Sequence, residues 1–186
     1  MSIITQQFGT LRGLIRLGLS YGEVLFGKDG SLAANPAQVK RLVFVCHGNI
    51  CRSAMADVVA RNLGLNVASV GLSTDNGKLA HGPAIDAAKA LGYDMSQHRA
   101  TRVQDFVAQD GDVLLAMETR HLRTLSAMPN VANTPRQLLG LHLSPPLPHL
   151  HDPYELDPAY MPVSLARVIR AVEALSLVYP GARSGN

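Results

Sequence analysis

Between residues 43 and 53 the chain reads Val-Phe-Val-Cys-His-Gly-Asn-Ile-Cys-Arg-Ser: an apolar run ending at Cys46, then five residues, then Arg52. Five residues suffice for a backbone to curl once around a tetrahedral oxyanion and turn its N–H groups inward. Gly48 and Asn49 suit the left-handed conformations that such a curl demands. The segment His47, Gly48, Asn49, Ile50, Cys51, Arg52 and Ser53 therefore reads as a phosphate-binding loop. Arg52 offers a planar fork for two phosphate oxygens, and Ser53, opening the next helix, can donate its hydroxyl to the Cys46 sulfur. A cation and a helix start beside a cysteine both favour the thiolate, which is the nucleophilic form. The competing reading is structural: a buried cysteine at a strand end and a surface arginine at a helix start.

Taken between a buried strand and a helix, Cys-x-Gly-Asn-Ile-Cys-Arg-Ser resembles the loop of the low-molecular-weight protein tyrosine phosphatases. That resemblance implies a general acid far downstream in an Asp-Pro-Tyr segment, matched here by Asp152, Pro153 and Tyr154. Expelling a phenolate from a phosphoester is slow unless an acid protonates the leaving oxygen. The resemblance makes Cys46, Arg52 and Asp152 the catalytic set, and it places His98 as a supporting group bonded toward Asn49. Ser53 and Tyr154 join it as supporting residues. The string Met117-Glu118-Thr119-Arg120-His121 is similar to bacterial members of capsule and exopolysaccharide systems, whose substrate is a membrane-bound tyrosine autokinase. The same residues also suit a solvated helix start. Relatives acting on phosphoarginine carry a threonine where this chain has Ile50, so phosphotyrosine is the expected substrate. Three departures blur specificity: no aromatic in residues 71–79, Ala54 in place of a proline, and Glu155 after Tyr154.

The only two cysteines, Cys46 and Cys51, both lie in the loop. A chain with no further cysteine suits a reducing cytosol, and an accessible thiolate is prone to oxidation, with Cys51 as candidate redox partner of Cys46. Packing alone also explains Cys51. Thiol-dependent arsenate reductases share the fold but need resolving cysteines downstream, and none follows Cys51.

These groups must be positioned by alternating elements. Strands are expected at 41–45, 67–70, 113–117 and 137–141, and helices at 53–64, 83–91, 119–128 and 160–178, with a short helix near 104–108. The pattern is α/β, a doubly wound four-stranded parallel sheet flanked by helices. Leu165, Val168, Ile169, Val172 and Leu175 share one face of the last helix and should pack on the sheet. A stiff Pro-rich loop at 144–148 precedes Asp152. With 186 residues, 47% hydrophobic content and a net charge of +3, one domain at 39–182 accounts for the core, and nucleic-acid binding is not expected.

Residues 1–38 form an N-terminal amphipathic extension and linker. Ile4, Phe8, Leu11, Ile15 and Leu19 fall at helical spacing with Arg12 and Arg16 beside them. Residues 3–26 could dock on their own domain, on a second copy, or peripherally on a membrane, but charges inside the stretch exclude a transmembrane helix. The expected protein is cytoplasmic, free of cofactor and metal, acting on a phosphotyrosine protein. Peripheral contact with the inner membrane is an option. The alternatives are a phosphate-binding or redox-sensing module with weak turnover, and an arsenate reductase-like enzyme.

Overall fold

Four short strands make the sheet in the computed structural model, which describes residues 3–183; Met1 and Ser2, the start of the expected extension, lie outside the described residues. The strands are β1 (Arg41–Cys46), β2 (Val67–Gly71), β3 (Asp112–Ala116) and β4 (Arg136–Leu138), all parallel in the order β2-β1-β3-β4. Helices α1 (Ile3–Phe8) and α2 (Leu11–Leu25) precede the sheet; α3 (Arg52–Asn62), α4 (Gly82–Ala90), α5 (Thr119–Ser126) and α6 (Tyr160–Leu175) follow its strands.

Side-chain alternation in β1 sorts the core. Leu42, Phe44 and Cys46 face the layer built with α3, α4 and α6, whereas Val43 and Val45 face the layer closed by α5. Central strands covered on both faces read as continuous apolar runs, which is why β1 and β3 carry no polar alternation. Leu165, Val168, Val172 and Leu175 of α6 are fully buried, and Ile169 packs partly buried beside them. Each such side chain contributes roughly 1.5–3 kcal/mol by leaving water. Because β1 has β2 on one side and β3 on the other, the strand order switches there, and the crevice beyond the carboxyl ends of β1 and β3 is the natural ligand edge. Cys46 ends β1 at that edge.

Two expectations shift. The strand expected at 137–141 is shorter: β4 ends at Leu138, and Leu139–His142 turns as a 3-10 helix, pinned by Leu147 N–H donating to the Gly140 carbonyl at 2.8 Å. The N-terminal stretch breaks in two at Gly9, whose φ of +72° ends α1, while Thr10 caps α2 by accepting from Gly13 N–H at 2.9 Å.

The extension runs along the site edge of the domain. Phe8 sits under the Arg167 guanidinium of α6, Thr10 contacts His151, and Glu23 pairs with Arg123 of α5 at 2.9 Å. The segment read as a linker is also seated: Leu32 bridges Arg136 of β4, and Asp29 is buried. The docked face of α2 is its small one, with Gly13 and Ser20 buried, so Leu11, Ile15 and Leu19 point outward at 60%, 55% and 59% exposure.

This inverted packing sets a sign. A glycine-to-alanine change inside a free helix stabilises by about 1 kcal/mol. At Gly13, however, the added Cβ would fall 2.3 Å from the Phe8 carbonyl oxygen and 2.8 Å from His151 Cδ2. Gly13→Ala should therefore lower stability by roughly 1–3 kcal/mol in urea denaturation. A stabilised variant would mean that α2 does not rest on His151.

Candidate active site

The loop after β1 wraps its own sulfur. Asn49 N–H donates to Cys46 Sγ at 3.2 Å, and Ser53 Oγ lies 3.0 Å from it. Ser53 Oγ accepts from the Asn49 side-chain amide at 2.8 Å, which leaves the hydroxyl proton for the sulfur. Asn49, not Gly48, takes the left-handed backbone, with φ +52°. It is anchored from outside: its carbonyl accepts from His98 Nε2–H at 2.8 Å, and its side-chain oxygen accepts from Thr101 N–H at 2.9 Å. Burial pushes the His98 pKa down, which keeps the ring neutral and a single-proton donor there.

Arg52, the first residue of α3, is completely buried. Its Nη1 donates to Glu118 Oε1 and to the Leu150 carbonyl, both at 2.7 Å, and its Nη2 pairs with the Asp152 carboxylate. Arg52 Nε is buried without a hydrogen-bond partner among the described residues. Burial works against the cation, but Asp152, Glu118 and Cys46 outweigh it and move the Arg52 pKa up. The same trade holds for Glu118. Burial disfavours its charge, yet the Arg52 guanidinium beside it holds its carboxyl well below the usual range. Arg120 adds two bonds to Glu118 at 2.7 and 3.0 Å.

Glu118 and His121 are therefore buried groups of the site, not a solvated helix start; only Arg120 in that segment is half-exposed. Sequence reading found the segment but not its partner. It missed His149, whose Nδ1 lies 3.7 Å from Glu118 Oε2, and the chain of contacts leading outward from it. His149 Nε2 meets His151 Nδ1 at 3.1 Å, and His151 Nε2 meets Thr10 Oγ1 at 3.2 Å. One assignment gives each contact a donor and an acceptor: both rings neutral and protonated on Nδ1, with the Thr10 hydroxyl donating to His151.

Cys46, His47, Gly48, Ile50 and Cys51 line a cavity of about 140 Å³ whose far side is Asp152 and Tyr154, with Ser73 and Lys78 at its rim. Lys78 and His81 were not anticipated. His81 stands 4.9 Å from the Tyr154 ring, and both residues follow from loops that no local motif marks. Cys51, the residue before α3, is buried; burial and then the neighbouring Cys46 push its thiol up, which keeps Cys51 neutral.

Burial holds His149 at about 4 and His121 at about 3, against 6.5 for a free ring. As pH falls below 6.5 the unfolded chain takes up these protons first, so stability is full above 6.5 and declines toward pH 4. Denaturation midpoints at pH 7.5, 6 and 5 should fall in that order, and His149→Gln should shallow the slope without abolishing it, since His98 and His151 are shifted the same way. A wild type equally stable at all three would contradict neutral buried rings.

Comparison with known proteins sets this geometry in a family. The family model described as low molecular weight phosphotyrosine protein phosphatase matches residues 41–177. A probable low molecular weight protein-tyrosine-phosphatase EpsP of Ralstonia solanacearum is 33% identical over 91 residues, covering 48% of this chain and 63% of that protein. A glutaredoxin arsenate reductase of Synechocystis is 34% identical over 82 residues, 42% of this chain and 60% of that protein. The chain thus spans roughly three fifths of these relatives' length. Among solved structures, Vibrio vulnificus Wzb in complex with benzylphosphonate is similar with a TM-score of 0.65 at 26% identity, covering 75% of this chain and 98% of that one. The sheet, the loop after β1 and the family match over residues 41–177 agree: this chain belongs to the low molecular weight phosphotyrosine protein phosphatase family.

Proposed function

We propose that this protein hydrolyses protein phosphotyrosine through a cysteinyl-phosphate intermediate. The observation that carries the reading is Cys46 Sγ, held by two donors in a cavity that the Asp152 carboxylate also lines. The sulfur attacks phosphorus in line while the bond to the tyrosyl oxygen breaks, and Asp152 gives its proton to that oxygen. Water then attacks the phosphocysteine, Asp152 takes up the proton, and the thiolate departs with phosphate released. Arg52 and the loop N–H groups stabilise the equatorial oxygens. The unpartnered Nε of Arg52 supports this role, because the guanidinium retains donor capacity that the protein does not use. Ile50 and Tyr154 on the cavity wall favour an aromatic ring.

The arsenate reductase-like reading has no thiol outside the loop to draw on. A sensing module with weak turnover would have no use for an acid facing the cysteine. Assays with p-nitrophenyl phosphate and a phosphotyrosine peptide, without added metal, test the proposal: Cys46→Ser should fall to background, and Asp152→Ala should slow turnover by roughly 10²–10⁴-fold. An inactive wild type that still binds phosphate would establish the sensing module instead.

For the partner we propose a tyrosine-phosphorylated protein of the membrane-bound autokinase type, with the phosphatase cytoplasmic and touching the inner membrane peripherally. The outward row Leu11, Ile15 and Leu19, continued by Leu25 and Phe26 at 80% and 73% exposure, supports this contact. No helix among the described residues is long and apolar enough to cross a membrane. The wild type should float with vesicles containing phosphatidylglycerol, whereas the triple variant Leu11→Gln, Ile15→Gln, Leu19→Gln should not. Equal flotation of both would remove the membrane from the proposal.

A further inference from the structure

Beside the Cys46 cavity opens a second one of about 390 Å³, and Asp152 and Tyr154 line both. Its cationic wall comes from distant parts of the chain: Arg12 and Arg16 of α2, and Arg120 at the start of α5. The carboxylates nearby are already engaged. Glu118 is bonded by Arg52 and Arg120, Asp152 pairs with Arg52, and Glu23 is bonded by Arg123 at 2.9 Å. Neither Arg12 nor Arg16 has an ion-pair partner among the described residues, and both are exposed.

Arg12 and Arg16 stand one helical turn apart, where like charges repel. They are not carried on a loose tail. Thr10 contacts His151 at 3.2 Å, and Gly13 rests against the same ring, so α2 is seated on the segment that leads into Asp152. These guanidiniums form no ion pair among the described residues, the Glu23 charge that Arg16 senses being bonded by Arg123, and on a seated helix at the rim of an anion-binding cavity they form a receptor for a second anion.

We propose that Arg12, Arg16 and Arg120 form an anionic subsite that reads a second negative group, carboxylate or phosphate, on the substrate protein close to its phosphotyrosine. The proposal rests on the phosphatase reading above and deepens it. A phosphoryl group seated over Cys46 leaves the rest of the substrate to emerge past Asp152 and Tyr154, where the two cavities adjoin. The subsite makes the N-terminal extension part of the substrate-binding surface, and it selects acidic or multiply phosphorylated segments over neutral ones.

The test compares three peptides: a phosphotyrosine with neutral flanks, one flanked by glutamates, and one carrying a second phosphotyrosine. Binding is measured by fluorescence anisotropy to full-length Cys46→Ser, which reports the subsite without turnover, and kcat/KM is measured with the active chain. One or both anionic peptides should bind about tenfold tighter than the neutral one, an advantage that shrinks as salt rises. Arg12→Glu with Arg16→Glu should erase that advantage while leaving kcat/KM for p-nitrophenyl phosphate within about twofold, and the favoured peptide identifies the anion. No preference in the wild type, or one that survives the double reversal, would overturn the subsite. Absent p-nitrophenyl phosphate turnover by the wild type would instead sink the phosphatase reading, leaving the binding arm to judge the subsite alone.

Discussion

A fully buried arginine is costly to keep, because desolvating a guanidinium costs several kcal/mol unless partners surround it. Arg52 is kept by three: Glu118 beyond the end of β3, the Leu150 carbonyl in the loop after β4, and Asp152 two residues further on. The site's geometry follows from that requirement. Glu118 can reach α3 only because β1 and β3 are direct neighbours, in a register that sets Val45 against Ala116. Leu150 is delivered by its own N–H donating to the Met117 carbonyl at 2.9 Å. The ion pair thus ties three crossovers of the sheet to one point just beneath Cys46. The same bond that steadies the cation also places it beside Cys46.

Around that pair, charge is balanced by neutral groups. His121 and His149 flank Glu118 but are kept unprotonated by burial, so they fill the space beside the carboxylate without competing with Arg52 for it. From His149 the contacts run through His151 to Thr10, and so link the buried pair to the extension. An element outside the family match at residues 41–177 is thereby coupled to the site by hydrogen bonds, while the row Leu11, Ile15 and Leu19 stays outward. On α2 Gly13 and Ser20 make the close approach.

Much of the sheet and of the loop was legible. The apolar runs of β1 and β3 can only be strands covered on both faces, and the face of α6 that carries Leu165, Val168 and Val172 has one place to go. The curl between Cys46 and Arg52 is short enough that spacing alone restricts it. What escaped reading was sequence-distant. The string around Glu118 was marked but not its partner Arg52, and nothing in the neighbourhood of His149 or Lys78 marks them as belonging to the same site, since each local pattern fits an ordinary loop. The two halves of the extension were also misjudged, because Gly9 with Thr10 breaks a helix that periodicity alone would carry through.

Sequence by itself determined the parts whose partners lie within a few residues: the loop with its sulfur and the alternation of strands and helices. Local backbone preference and side-chain period fix these wherever the segment sits. Only the tertiary structure decided that Arg52 finds its counter-charge at Glu118, 66 residues away, and that His151 meets Thr10, 141 residues away. It also decided that α2 turns its apolar row outward. Those outcomes depend on which surfaces the packed sheet leaves open and on which buried charges must be paired, and neither is a property of any single stretch of chain.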